Sequence, residues 1–201
     1  MPPLHAHISA SDLTPLLSNP TLSTALDAFG HQSGIAQSLN KPITTTALLS
    51  SERALAEKHS LYCLLNPDGM NPGGDLVGYI KTGYKNLYLL DDLDMKAGLV
   101  ECKECLSVLD FYVDERVQRG GWGRQVFEFM IADVVERRLL GEGRTAGEAA
   151  ALLTYDRPSS KMVPFLQKLG LTDGYLQNNA YMTFRLFWEQ RPKAPPKSRR
   201  K

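Results

Sequence analysis

The chain has 201 residues, 43% hydrophobic and 22% charged, with a formal net charge of +1. That is the range of one globular domain, two at most, and it excludes a globally disordered chain, collagen and coiled coil. No run approaches the ~20 apolar residues of a membrane helix. Residues 1–14 lack the basic-then-apolar pattern of a secretory signal, and the three cysteines, Cys63, Cys102 and Cys105, are too few and too odd for a disulfide framework, which points to a reducing, cytosolic compartment.

In chain order, residues 1–20, with prolines at 2, 3, 15 and 20, read as an irregular arm, and the H-x-H of His5 and His7 as solvated. Residues 21–39 read as a helix capped by Thr21, with Leu22, Ala25, Leu26, Phe29, Ala36 and Leu39 near one face and Gly30 and Gly34 weakening its middle. Residues 44–58 suit a further short helix. Ser60–Leu65 reads as a strand, and residues 66–74 as turns. Asp75–Tyr84 and Asn86–Leu90 read as two antiparallel neighbours, followed by an acidic loop over 91–104. Cys105–Val113 is apolar on both faces apart from Asp110, as a buried central strand would be. A helix is expected over 121–140, a loop over 141–150, a strand over Ala151–Tyr155, a helix from Asp156 to about Gly170 and a last strand over Tyr181–Trp188. Residues 191–201 hold six basic and no acidic residues, so the total of +1 less those six leaves the first 190 residues at −5. This tail is either solvated or drawn to an acidic partner surface. A β meander followed by β–turn–α–β–α–β predicts one mixed α/β domain over residues 21–190.

The strongest chemical signal is Gln118-Arg119-Gly120-Gly121-Trp122-Gly123-Arg124, between a buried strand and an amphipathic helix. A Gly-rich turn admits a phosphate close to backbone N–H groups, and a helix start presents free donors and a positive dipole end. The spacing is neither G-x-x-x-x-G-K-[ST] nor G-x-G-x-x-G, so the expected ligand is a pyrophosphate outside the P-loop and Rossmann classes. The turn is otherwise a tight connection, and Trp122 either stacks on a ligand or covers the turn. Asp156 is either the N-cap of the helix that follows or a carboxylate with a chemical role. Cys102-Lys103-Glu104-Cys105 lacks the further ligands zinc needs, so an incidental pair is favoured over a metal or redox pair. Lys81 and Lys85 read as a solvated charged face or as contacts to an acidic partner.

The Q-R-x-G-x-G pattern resembles the signature of the GNAT acetyltransferases, and residues 109–130 resemble the central motif of the α-tubulin N-acetyltransferases. Residues 78–92 resemble that family's preceding hairpin, DRPSSKMVPFLQK at 156–168 its D-R-P-S-x-K helix, and residues 36–44 and 177–179 also fit. The resemblance implies a GNAT-like mixed, mostly antiparallel sheet with a splayed strand pair and flanking helices. It implies acetyl-CoA as co-substrate, held by Phe111-Tyr112-Val113-Asp114-Glu115-Arg116-Val117-Gln118-Arg119-Gly120-Gly121-Trp122-Gly123-Arg124 and by Ser159-Ser160-Lys161-Met162-Val163-Pro164-Phe165-Leu166-Gln167-Lys168. Its partner is α-tubulin in microtubules, in the cytoplasm and cytoskeleton, with the cilium or flagellum a further setting. A monomer is expected, with neither nucleic acid nor membrane as partner.

The acceptor on this reading is a lysine ε-amine. With a pKa of about 10.4, only ~10⁻³ to 10⁻⁴ of it is neutral at pH 7, and removing the proton costs roughly 4–5 kcal/mol. Asp156 matches the family's catalytic aspartate and is the expected proton acceptor. Gln37 matches a glutamine that the family needs for catalysis, with positioning as its expected role. Asp110 supports the site, contacts tubulin or makes a structural hydrogen bond. The family carries a catalytic cysteine three residues before Asp-Phe-Tyr, where this chain has Ser107. A serine hydroxyl relays a proton but does not match a thiolate as a base. Either Asp156 suffices, with water and Ser107 helping to shape the acceptor pocket, or catalysis is slow or absent; weakened activity is the favoured reading. Hydrogen bonds from the strand at 107–111 are expected to polarise the thioester carbonyl.

Overall fold

The computed structural model describes residues 3–68, 75–91, 93, 98–177 and 180–190. Turn residues 69–74, Asn178 and Asn179 of the 177–179 motif, and the basic tail lie outside them.

The first correction is to the N-terminal arm. Residues Leu4–Ser9 form β1, paired antiparallel with β2 (Ser60–Asn66), and Thr14–Leu17 form α1. The alternation in LHAHIS carried that strand signal. His7 therefore stacks on Tyr62 with ring centroids 4.8 Å apart, and His5 meets Phe129 at 4.7 Å. Helix α2 spans Pro20–Ala36, and its cap is Asn19, not Thr21: Asn19 Oδ1 accepts from the Leu22 amide at 3.0 Å, with Pro20 in the first turn. Asn19→Ala is expected to cost about 1 kcal/mol, read as a melting temperature about 2–4 °C lower. The expected 44–58 helix is two short ones, α3 (Thr46–Leu49) and α4 (Glu52–Ala56).

Asp75–Leu90 is one unbroken strand, β3, where two neighbours were expected, and β4 runs Leu99–Val113, taking in much of the expected acidic loop. Where the two expected strands met, the pairing has a register shift between Lys85 and Leu87; the Asn86 side chain accepts from the Glu104 amide at 2.9 Å. Helix α5 (Trp122–Glu136) follows. The expected 141–150 loop holds most of α6 (Ala146–Leu152), opened by a capping box in which Thr145 and Glu148 bond reciprocally. Strand β5 is only Thr154–Asp156, and α7 is Met162–Lys168. β6 (Gly174–Gln177) was not foreseen, and the expected last strand is β7 (Tyr181–Phe184) running into α8 (Arg185–Glu189).

The seven strands lie in the order β1-β2-β3-β4-β5-β7-β6, antiparallel except for β4 with β5. Helices cover both faces. Val126, Phe127, Met130, Ile131 and Val134 of α5 pack with α6 and α7 on Tyr62, Ile80, Leu106, Val108 and Tyr155. On the other face Leu22 and Leu26 of α2 meet Leu61, Cys63, Tyr79 and Tyr112. Gly30 and Gly34 cost α2 about 1 kcal/mol each in propensity; burying Leu22 and Leu26 returns about 1.5–3 kcal/mol apiece, so tertiary packing holds this helix. The far end of the β3–β4 hairpin packs on Phe187 and Trp188, and Gln177 pins it by pairing its amide with both the N–H and the C=O of Leu90 (2.7 and 2.8 Å).

Candidate active site

The site begins at one irregular residue. Lys81 lies opposite Asp110 and Thr82 opposite Val108, so Leu109 is an extra residue in β4. An extra residue reverses the in–out alternation. Before it, Leu106 and Val108 face α5; after it, Phe111 faces that side while Asp110 and Tyr112 turn to α2. Strand β5 pairs with β4 only at Ser107–Thr154 and Val108–Tyr155. The two strands then part, and a cleft of about 710 Å³ opens between them.

One wall is the Gly-rich turn. Arg119 and Gly121 take left-handed backbone angles (φ +67° and +86°), and α5 starts at Gly121 without a side-chain cap. A Cβ built on Gly121 meets nothing within 4 Å, so the turn borders open space there. Gln118 is fixed by donating to the Val113 carbonyl at 2.8 Å. Phe111, Tyr112, Val113, Glu115, Gln118, Arg119, Gly121, Gly123 and Arg124 line the cleft. Asp114, Arg116, Val117, Gly120 and Trp122 do not: Asp114 and Arg116 pair with each other, and the Trp122 ring lies against Gly120 and the core, covering the turn. The opposite wall brings Ser159, Ser160, Lys161, Met162, Pro164, Phe165 and Lys168 to the cleft, while Val163, Leu166 and Gln167 lie off it. Lys161 reaches across to Gln118 (3.3 Å) and Glu115 (3.6 Å). A helix start without a side-chain cap, two arginines and a lysine around one cleft fit a pyrophosphate.

Asp156 sits at the end of β5, on the cleft. It does not cap the next helix; α7 starts six residues later, with Lys161 at its cap position. Arg157 continues in a left-handed conformation (φ +43°) and donates its amide to the Ala180 carbonyl at 2.6 Å. Asp156 Oδ1 is buried and has no hydrogen-bond partner, and the Arg157 guanidinium stands off at 3.9 Å. Burial raises the Asp156 carboxyl above its ordinary value, against the pull of Arg157, Lys85, Lys81 and Arg53. An unpaired buried carboxylate oxygen is costly, and functional sites are where such costs concentrate.

Ser107 occupies a different setting. It is fully buried, is not among the residues lining the cleft, and bonds Thr154 Oγ1 at 2.6 Å and the Cys105 carbonyl at 3.0 Å. The two hydroxyls clasp β4 to β5 just before the strands part. Cys105 packs with Cys102 under Phe187 and Trp188, no cysteine forms a disulfide, and among the described residues no His/Cys/Asp/Glu group could hold a metal ion.

Gln37 lines the cleft from the C-terminal end of α2. Lys81 and Lys85, which suggested a solvated face, are neither solvated nor free: Lys81 is 5% exposed and donates to the Ile43 carbonyl at 2.6 Å, and Lys85 pairs with Glu57 at 3.0 Å. Burial opposes the Glu57 charge, but hydrogen bonds from Arg53, His59 and Lys85 outweigh it and bring the carboxyl down to about 2. Ser33, Ala36, Tyr155, Arg157 and Pro158 also line the cleft. None carried a sequence signal of its own except Arg157 and Pro158, inside the D-R-P-S motif.

A mostly antiparallel sheet opened at a β4 bulge, with a glycine-rich turn leading into a helix beside the opening, defines the GNAT fold. A solved structure of AtaT complexed with acetyl-methionyl-tRNAfMet shares it, with a TM-score of 0.51 over 91% of this chain and 94% of that one at 17% identity. Residues 5–201 match the family model described as GNAT acetyltransferase, Mec-17, and the chain belongs to that family. It is 35% identical over 184 residues to alpha-tubulin N-acetyltransferase 1 of Danio rerio, covering 89% of this chain and 55% of that protein. It is 34% identical over 187 residues to the alpha-tubulin N-acetyltransferase of Phytophthora infestans, covering 87% and 93%. The chain thus spans about half the length of the Danio relative and nearly all of the Phytophthora one.

Proposed function

We propose that this chain transfers acetyl from acetyl-CoA to a lysine ε-amine of α-tubulin in microtubules, directly within a ternary complex, with Asp156 as general base. The observation that carries this reading is the unpartnered, buried Oδ1 of Asp156 on the cleft, in a chain whose relatives are named for acetylating α-tubulin. Acetyl-CoA bound in the cleft supplies the acetyl group as a reactive thioester.

The backbone at Arg119, Gly121 and Gly123, with the side chains of Arg119, Arg124 and Lys161, holds the diphosphate. Phe111 and Phe165, whose rings meet edge-on at 5.3 Å, form the apolar floor between the strands. Asp156 takes the ammonium proton; its pKa, raised by burial, makes it a stronger base than an ordinary carboxylate. Gln37 orients the amine from the α2 side. Ser107, committed to Thr154, takes no part in proton transfer, and Asp156 is the base without a thiolate. Ser107→Ala tests this: turnover within a few-fold of the parent is expected, with a stability cost of about 1 kcal/mol from the lost hydroxyl pair. A collapse of turnover in a folded variant would return Ser107 to the chemistry.

The experiment for the whole reading is acetylation of polymerised tubulin by the full chain with acetyl-CoA, followed by peptide mass spectrometry. Acetyl-lysine on α-tubulin that depends on Asp156 supports it. Unmodified tubulin, with acetylation of other amines, identifies a GNAT enzyme of different specificity.

A further inference from the structure

The least explained buried charge is Asp110, 3% exposed in an otherwise apolar strand. Four side chains converge on it. Ser33 Oγ donates to Oδ1 at 2.6 Å and Gln37 Nε2 donates to the same oxygen at 3.4 Å; Thr44 Oγ1 and the Tyr79 hydroxyl donate to Oδ2 at 2.6 and 2.5 Å. Gln37 Nε2 also reaches Ser33 Oγ at 3.3 Å. Lys81 stands opposite Asp110 on β3 and holds the Ile43 carbonyl. The network ties α2, the 41–44 segment and β3 to one carboxylate that itself lines the cleft.

We infer that Asp110 is a positioning residue that sets the orientation of the Gln37 amide, so that its carbonyl oxygen rather than its NH₂ is offered to the acceptor amine. This rests on the lysine-acetyltransferase reading above. The physical reason is the inventory of donors and acceptors. Both Asp110 oxygens already accept hydroxyl protons from Ser33, Thr44 and Tyr79, so the arm of Gln37 that faces them is the donating NH₂. A planar amide then turns its oxygen the other way, and Gln37 lines the cleft. An incoming lysine amine carries donors and needs acceptors around it: Asp156 takes its proton, and Gln37 Oε1 accepts one of the N–H groups that remain. A flipped amide would set NH₂ against the ammonium and repel it. Ser33 supports the same orientation, because its hydroxyl gives its one proton to Asp110 and leaves lone pairs for Gln37 Nε2.

The test reverses the polarity of this pair. Gln37→Glu places two acceptors face to face, and Asp110→Asn lets the amide at position 37 flip. Each alone is expected to lower kcat/KM for polymerised tubulin by about tenfold or more, with acetyl-CoA affinity, read by calorimetry, unchanged. In the double variant the amide introduced at position 110 donates to the carboxylate introduced at position 37, whose other oxygen faces the cleft, and most of the loss is recovered in both kcat/KM and melting temperature. Losses that simply add overturn the inference. If Asp110→Asn does not fold, Gln37→Glu still decides by its pH profile. Once protonated, the carboxyl introduced at position 37 donates to Asp110 and mimics glutamine, so the variant's activity relative to the parent rises as pH falls. A flat or falling ratio overturns the inference. Tyr79, Lys81, Asp156 and Arg157 surround the same space and are shared by parent and variant, so the ratio cancels their titration. A parent that leaves tubulin unmodified sinks the lysine-acetyltransferase reading instead, and the melting temperatures of the single and double variants still decide whether Asp110 holds Gln37.

Discussion

Asp156→Asn is expected to lower turnover on microtubules by about 10²- to 10⁴-fold, the usual contribution of a positioned general base, while acetyl-CoA still binds. On the proposed reading the coenzyme is held by the Gly-rich turn and the start of α7 rather than by Asp156, so calorimetry should report an affinity close to the parent's. The same substitution has a second, opposite signature in stability. The Asp156 carboxyl is raised by burial above its unfolded value, with Arg157, Lys85, Lys81 and Arg53 offsetting part of the rise. A group raised on folding favours the folded state when protonated, at pH below its unfolded pKa, and that contribution disappears as pH climbs through the folded pKa. At neutral pH, well above the unfolded pKa, the Asp156 carboxyl therefore costs stability. The asparagine variant should melt no lower than the parent at pH 7, and its advantage should fade as the pH approaches about 4, near the ordinary aspartate value. In the parent, kcat/KM should fall on the acid side through a pKa above that ordinary value of about 3.9. A variant with full turnover removes Asp156 from the mechanism; one that melts well below the parent at pH 7 makes its role structural.

Gly30→Ala carries the largest expected loss of stability. On helix propensity alone alanine should gain about 1 kcal/mol. The tertiary structure reverses the sign, because a Cβ at Gly30 would lie 1.5 Å from the Thr44 carbonyl oxygen and 2.7 Å from its carbon. Backbone cannot rotate away as a side chain can, so α2 and the 41–44 segment must separate. Overpacking costs of roughly 1–3 kcal/mol and more are then expected, lowering the melting temperature by roughly 2–4 °C per kcal/mol. Turnover should fall further than stability alone explains, because Thr44 would leave Asp110 and loosen the network that reaches Gln37. Gly147→Ala in α6 is the control: a Cβ there meets nothing within 4 Å, and the propensity gain should appear as a higher melting temperature.

The motifs at 109–130 and 156–168 were legible because their chemistry is local. Glycines that permit left-handed angles, a helix start and an apolar strand are short-range patterns, and residues from both segments line the cleft. The errors fell where long-range pairing decides. LHAHIS became a strand because β2 offered it an edge, and the Asn86 break proved a bulge because β4 continued alongside it. Ala151–Leu153, apolar enough for a strand, closed α6 and its end instead, since Thr145 and Glu148 cap that helix.

The amino-acid sequence by itself determined the family, the mixed α/β class and the Gly-rich turn into a helix, since these rest on residues within a few positions of each other. Only the tertiary structure decided that Asp156 Oδ1 is buried without a hydrogen bond rather than capping a helix, that Ser107 is clasped to Thr154 and not among the residues lining the cleft, and that Asp110 collects donors 31 to 77 positions distant. Hydrogen-bond satisfaction inside a core depends on which chain segments meet there. That is set by sheet register, and one extra residue at Leu109 turns the following side chains to the opposite face.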